Sequence, residues 1–270
     1  MLKAKSRWIM FLDFLQFYRN SETIYTQDSP LIFSFCKDVL ERYREEDLPL
    51  SNNYRRSLFK DDRVIDAYCL GSASQVNSSP KKSLSQITKS ASSYHEKCQL
   101  LVAIARWTKS KYILELGTNT GLATMAWAEA DFDIHTVEGN PQLFELSSTS
   151  LKKFSNVVCF NSTFSEFLAT NTDKYDLIYI DGDHSFEATY DLVQKSKGFI
   201  NSNGIIILDD IRWSAEMKMI WKECIRNFGF NLSIDLFALG ILSESADLKT
   251  SIHKTLIPKK HKPWPYHFFR

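Results

Sequence analysis

The chain has 270 residues, 44% of them hydrophobic and 13% aromatic, enough to bury a sizeable core and too many for a disordered protein. Its 33 Lys and Arg against 32 Asp and Glu leave a formal net charge of +1, with the basic residues dispersed, which argues against nucleic acid as a substrate. Five cysteines (Cys36, Cys69, Cys98, Cys159 and Cys224) stand far apart with no C-x-x-C pair, as reduced thiols of a cytoplasmic protein would, not as a disulfide framework or zinc site.

Lys3, Lys5 and Arg7 precede an apolar Trp8 to Leu12, but Asp13 interrupts the run and no small-residue cleavage site follows, so a secretory signal is not expected. No stretch approaches transmembrane length. Residues 8 to 18 predict a helix with Asp13, Gln16 and Asn20 along its polar side, packed on the body or on a second subunit, which allows a homodimer through the N-terminal helices. Attachment to a membrane surface is the rival reading. Ser29 and Pro30 open a second helix, and Glu41 to Asp47 is a solvated charge run ended by Pro49. Tyr54 to Tyr68 suggests another helix, and GSASQVNSSPKK (Gly71 to Lys82) reads as a linker or as a lid. Ser93 and Glu96 have capping-box spacing for a helix carrying Leu100, Leu101, Ile104 and Trp107.

From Lys111 a β-α alternation begins, and it predicts a doubly wound α/β fold with helices on both faces of a mostly parallel sheet. Its first strand, Tyr112 to Leu114, leads into Gly117 to Gly121 and then a helix. Such a strand, glycine loop and helix present backbone N–H groups to a nucleoside-bearing cofactor. The dinucleotide fingerprint wants a glycine at the third position, where this loop has Asn119. A nicotinamide enzyme is therefore disfavoured. Further strands are expected at 134–137, 157–160, 175–180 and 205–208, with caps at Asn140-Pro141, Thr163/Glu166 and Ser214. Leu232 to Phe237 and Ala238 to Leu242 are too close for a crossover, so they should pair antiparallel.

Glu115 to Gly121 reads E-x-G-x-x-x-G. It resembles motif I of the class I S-adenosylmethionine-dependent methyltransferases, and the missing central glycine is most similar to the catechol and caffeoyl-CoA type of O-methyltransferase. The resemblance covers roughly residues 95 to 245. It implies a seven-stranded sheet ending in one antiparallel strand and a cofactor-binding domain at 93–245, flanked by what composition and caps read as a helical extension at 1–92 and a tail at 246–270. The prolines, basic groups and aromatics of that tail, Trp264, Tyr266, Phe268 and Phe269 among them, suggest packing on the domain or on a partner subunit.

For S-adenosylmethionine, the resemblance implies contacts from Glu115, Gly117, Thr118, Asn119, Gly121, Glu138, Gly139, Ser162 and Asp181. Glu138, closing the second strand, sits near the spacing of a ribose-binding acid, and Ser162 matches a position beside adenine. Asp181, Asp209 and Asp210 end strands expected to be neighbours, about 4.8 Å apart. Three hard oxygen donors suit Mg²⁺ or a similar divalent cation, which would lower the pKa of an acceptor hydroxyl. The related metal-dependent enzymes carry the same acids there, and His184 falls where they have a basic side chain near the acceptor.

The expected activity is methyl transfer to a hydroxyl of a small molecule, with Asp181 and His184 as catalytic residues. The alternatives are a metal-free methyltransferase acting on nitrogen or on a protein side chain, and a cofactor-binding scaffold without catalysis. The acids at 183 and 209–210 have a plainer reading as turn and helix-opening residues.

Overall fold

The computed structural model describes residues 7–66, 81–90, 92–245 and 248–263. The sequence expectations for Cys69, most of the Gly71 to Lys82 segment and the aromatic tail from Trp264 fall outside these residues.

The N-terminal part runs α1 (Arg7–Asn20), α2 (Pro30–Phe35), α3 (Pro49–Leu58), β1 (Val64–Asp66), β2 (Lys81–Ser83) and α4 (Leu84–Ser90). Pro49, expected to end the charge run, also supplies the first residue of α3, where its missing N–H costs nothing. The Glu129 carboxylate accepts from the N–H groups of Leu50 at 2.7 Å and Ser51 at 3.1 Å, fastening α3 to the sheet domain. The helix expected over 54–68 divides: α3 ends at Leu58, and Val64–Asp66 pairs antiparallel with Lys81–Ser83. Ser29 stands at the cap of α2 without a side-chain hydrogen bond.

α1 departs from the expected amphipathic assignment at Asp13, while Gln16 and Asn20 of the expected polar side are exposed. Asp13 is buried against Lys218 at 2.6 Å, and Phe17 packs edge-on to Phe237. Trp8, Ile9, Phe11, Leu12, Phe14 and Leu15 are exposed instead. A cationic partner turns Asp13 inward, something the composition of α1 alone does not reveal.

The rest alternates: α5 (His95–Trp107), β3 (Tyr112–Leu116), α6 (Leu122–Glu129), β4 (Asp133–Val137), α7 (Pro141–Leu151), β5 (Val157–Phe160), α8 (Phe164–Thr170), β6 (Tyr175–Ile180), α9 (Phe186–Ser196), β7 (Ile200–Leu208), α10 (Ala215–Asn227), β8 (Leu232–Asp235), β9 (Gly240–Ser243) and β10 (Ile252–Thr255). Asn140, Thr163 and Ser214 cap their helices as expected, Thr163 with Glu166 in a full capping box. Ser93 does not: α5 starts after Tyr94, Ser93 is buried, and Glu96 faces Arg44 at 3.6 Å.

Among the described residues the sheet has eight strands, in the order β10-β8-β9-β7-β6-β3-β4-β5. Seven were expected. The extra strand, β10, adds parallel to β8 at the edge, in a segment with no apolar alternation to announce it. β9 is the antiparallel strand, and it lies between β7 and β8 rather than at the sheet's end. The inner strands β3 and β6 are buried along nearly their whole length, which explains their unbroken apolar runs. From β3 the chain winds outward through β4 to β5, then returns to β6 on the other side of β3. The carboxyl ends of β3 and β6 therefore flank a topological switch point, where open α/β sheets bind ligands. No helix among the described residues is long and apolar enough to cross a membrane.

Candidate active site

The loop after β3 is shaped by backbone geometry. Gly117 has φ +115°, and a Cβ there would sit 2.0 Å from the Asp181 carbonyl oxygen, so only glycine lets this loop pass the end of β6. Three non-glycine residues at the same sheet edge, Asn119, Asp183 and Asp210, also have positive φ. Strained conformations of this kind gather at functional sites.

Glu138 ties the loop to the end of β4. Its Oε2 accepts the N–H of Asn119 at 2.7 Å and its Oε1 the N–H of Asn140 at 2.8 Å. Burial raises its pKa in spite of these backbone hydrogen bonds. Asn161 donates to the Glu138 carbonyl at 2.8 Å and so fixes the neighbouring loop.

Glu115 sits beneath the loop, 1% exposed. Its carboxylate accepts from the hydroxyls of Thr124 and of Thr136 (2.6 Å), and the Thr118 hydroxyl lies 2.6 Å from that of Thr136. Burial lifts Glu115 to a pKa of about 7, with the two threonine hydrogen bonds opposing. Glu115 and Thr118 thus support the loop from inside, while Gly121 leads into α6.

A cleft of about 450 Å³ opens over the sheet edge, lined by Gly117, Asn119, Glu138, Gly139, Ser162, Phe164, Asp181 and Leu192 among others. Its size is that of a typical small-molecule site. The Ser162 hydroxyl is buried there without a hydrogen-bond partner among the described residues. A buried hydroxyl of this kind calls for a ligand or water. An acid at the end of β4, an orphaned hydroxyl after β5 and a glycine loop with no room for a side chain suit a nucleoside with a polar tail.

The three aspartates are arranged differently from the sequence expectation. Asp181 and Asp209 are adjacent: the Tyr179 hydroxyl donates to Asp209 Oδ2 at 2.8 Å and lies 3.1 Å from Asp181 Oδ2. Asp210 turns outward, 41% exposed, with its Oδ2 3.9 Å from His184 Nε2. The residue that sequence reasoning missed is Lys97, near the start of α5. Its ammonium donates to Asp209 Oδ2 and stands 3.7 Å from Asp181 Oδ2, with 11% of its side chain exposed.

Burial opposes the charge on Lys97, yet Asp181 and Asp209 hold its pKa above the usual lysine value. Burial likewise pushes Asp209 up, but Lys97, with hydrogen bonds from its neighbours, holds it below the ordinary carboxylate value. Asp181 goes the other way, raised by burial and by the charge of Asp209. Among the described residues no group of three or more His, Cys, Asp or Glu is arranged to hold a metal ion. With an ammonium on Asp209 and Asp210 pointing outward, the donor set as folded does not fit a divalent cation.

A signal for Lys97 was present. It falls four residues before Leu101 and seven before Ile104, both fully buried, so it is a lysine on the apolar stripe of its helix.

Residues 114–211 match a family model described as a methyltransferase domain. The O-methyltransferase hkm8 of Aspergillus hancockii is 29% identical over 135 residues, 46% of this chain and 53% of that protein. The chain spans about half the length of the curated relatives it matches. Among solved structures, the methyltransferase PaMTH1 of Podospora anserina, described with S-adenosylhomocysteine bound, aligns with a TM-score of 0.53 at 15% identity, over 90% of this chain and 98% of that one. The O-methyltransferase TomG of Streptomyces achromogenes aligns with a TM-score of 0.50 at 13% identity, over 58% of this chain and 82% of that one. At such identities the likeness to the solved structures is one of fold.

Proposed function

We propose that this chain, a class I S-adenosylmethionine-dependent methyltransferase by its sheet and by the domain at residues 114–211, transfers a methyl group to a hydroxyl of a small molecule in the cytoplasm. The observation that carries the reading is the cleft at the switch point, where Glu138, the orphaned Ser162 hydroxyl and the Gly117 turn face one space. Choice of a hydroxyl acceptor is supported by the curated relatives, both named O-methyltransferases.

In this account Gly117, Thr118, Asn119 and Gly121 form the turn beneath the methionine portion, with Glu115 buried behind it. Glu138 and Gly139 take the ribose hydroxyls, and Ser162 the adenine edge. Bound there, S-adenosylmethionine supplies an electrophilic sulfonium methyl. Asp181 borders both the cleft and the buried Asp209, so the acceptor approaches across it. His184, whose Nε2 lies 3.9 Å from Asp210, removes the hydroxyl proton as the oxygen attacks the methyl in line and the S–methyl bond breaks to leave S-adenosylhomocysteine. Holding the two partners in this alignment provides much of the acceleration.

Residues 1–92 serve as an extension outside the cofactor-binding domain at 93–245. The exposed face of α1 is where a second copy docks, an assignment supported by the solvent-facing Trp8, Phe11, Leu12, Phe14 and Leu15. The function is tested by offering labelled S-adenosylmethionine with panels of phenols, alcohols and amines. Labelled methyl ethers are expected. Transfer confined to amines or protein would favour the nitrogen-directed alternative, and cofactor binding without any transfer would favour a scaffold.

A further inference from the structure

Two carboxylates, those of Asp181 and Asp209, share one buried corner at the ends of β6 and β7. Carboxylates buried side by side need a compensating cation or a shared proton. Here the chain brings its own cation, since α5 carries the Lys97 ammonium onto Asp209 and to within 3.7 Å of Asp181. The Tyr179 hydroxyl completes the cluster at 2.8 Å from Asp209 and 3.1 Å from Asp181. Asp209 Oδ2 is thus occupied by Lys97 and Tyr179, and its Oδ1 accepts the backbone N–H of Asp210 at 2.9 Å. The charge is also favoured by the Tyr179 ring, whose centre lies 5.9 Å from the ammonium.

We infer that the Lys97 ammonium is the resident cation of this site, occupying the place between Asp181 and Asp209 that a divalent ion would need, and that the chain's methyl transfer is independent of metal. The inference rests on the methyltransferase reading for its catalytic half only; the exclusion of a divalent ion by Lys97 stands on the cluster itself. Lys97 acts as a positioning residue. Its single charge balances Asp209, while burial and the charge of Asp209 keep the proton on Asp181; the Asp209 oxygens are taken up by Lys97, Tyr179 and the Asp210 N–H.

Removing the ammonium should therefore create a metal site. In Lys97→Ala, and in Lys97→Met of similar length, Asp181, Asp209 and the Tyr179 hydroxyl become hard oxygen donors around a space with no positive charge. The probe is Mn²⁺ titrated into the whole chain and followed by the loss of its free-ion electron paramagnetic resonance signal.

The wild type is expected to show no saturable Mn²⁺ binding, and either variant to bind one ion saturably. Asp209→Asn placed on a Lys97 variant should abolish that gain. The wild-type methyl transfer rate should be the same in EDTA as in Mg²⁺. Saturable Mn²⁺ binding by the wild type that Asp209→Asn removes would overturn the inference, as would activity lost in EDTA and restored by Mg²⁺. Folded Lys97 variants that gain no Mn²⁺ affinity would also overturn it. Should both variants fail to fold, the wild-type titration and the EDTA comparison still decide. Mn²⁺ binding requires no cofactor, so failure of the cofactor-site reading, seen as absent S-adenosylhomocysteine binding, registers separately.

Discussion

Glu138 and Asn119 lock two loops together: the Glu138 carboxylate at the end of β4 accepts the backbone N–H of Asn119, from the turn after β3, at 2.7 Å. The same carboxylate accepts the N–H of Asn140 at 2.8 Å, so one side chain sets both the shape of the glycine turn and the start of α7. In Glu138→Gln the charge is lost and one oxygen becomes a donor facing an N–H. Hydrogen bonds to charged groups contribute about 1.5 to 3 kcal/mol each, so S-adenosylhomocysteine affinity should fall by about tenfold or more. Titration calorimetry of the variant beside the wild type reads this directly. An unchanged affinity would remove Glu138 from the cofactor site.

Gly117→Ala tests the turn itself. A Cβ at this position meets the Asp181 carbonyl oxygen at 2.0 Å and φ is +115°, so β3 and β6 must separate or the turn must rebuild. The expected loss is more than about 2 kcal/mol of stability, from overpacking and an unfavourable backbone together. Gly198→Ala is the control, since a Cβ there meets nothing within 4 Å. Urea midpoints should separate the two variants clearly.

Glu115 gives the stability a pH dependence. Burial raises its folded pKa from an ordinary 4.5 to about 7, so between those values the folded chain holds a proton that the unfolded chain has released. Stability from this group is then lost as pH rises from about 4.5 to about 7, at a slope of up to about 1.4 kcal/mol per pH unit. Glu115→Gln should flatten that part of the profile. Denaturation of both proteins across pH 5 to 7.5 checks the sign, and a wild type that gained stability relative to the variant would contradict it.

The exposed face of α1 predicts a dimer. Light scattering on the wild type should give twice the chain mass, and Phe11→Asp with Leu15→Asp should give a monomer that still binds S-adenosylhomocysteine. Both side chains are exposed, so the substitutions leave the core untouched. A wild type that is monomeric at all concentrations would dismiss the assignment.

Most of the sheet domain was legible in the sequence because its inner strands are buried on both faces and its turns carry strong punctuation. The strands expected at Tyr112 to Leu114 and Tyr175 to Ile180 appear where the apolar runs place them, the first running on to Leu116, and the caps at Asn140, Thr163 and Ser214 were readable from residue type and spacing. β10 was not legible, since an edge strand needs one partner only and Ile252–Thr255 carries no alternation. The inward turn of Asp13 in α1 was not legible, because its partner Lys218 lies 205 positions away.

The site divides in the same manner. Gly117, Glu138 and Ser162 meet at one cleft, as the strand ends imply. The grouping of Asp181, Asp209 and Asp210 follows strand adjacency only in part. The positive φ of Asp210 turns its side chain toward His184, and Lys97 arrives from a helix that precedes the sheet. Spacing within strand-end motifs cannot reveal a cation brought in from α5. Only the lysine's place among the buried residues of that helix hints at it.

The measurement that bears most directly on the central claim is titration calorimetry of S-adenosylhomocysteine into the wild-type chain in EDTA. Saturable binding at one site per chain is the predicted result, since the residues assigned to the cofactor, Gly117, Glu138 and Ser162, line one cleft and include no metal ligand. No detectable binding, in EDTA or in Mg²⁺, would contradict the assignment of that cleft to the cofactor and with it the proposed methyl transfer.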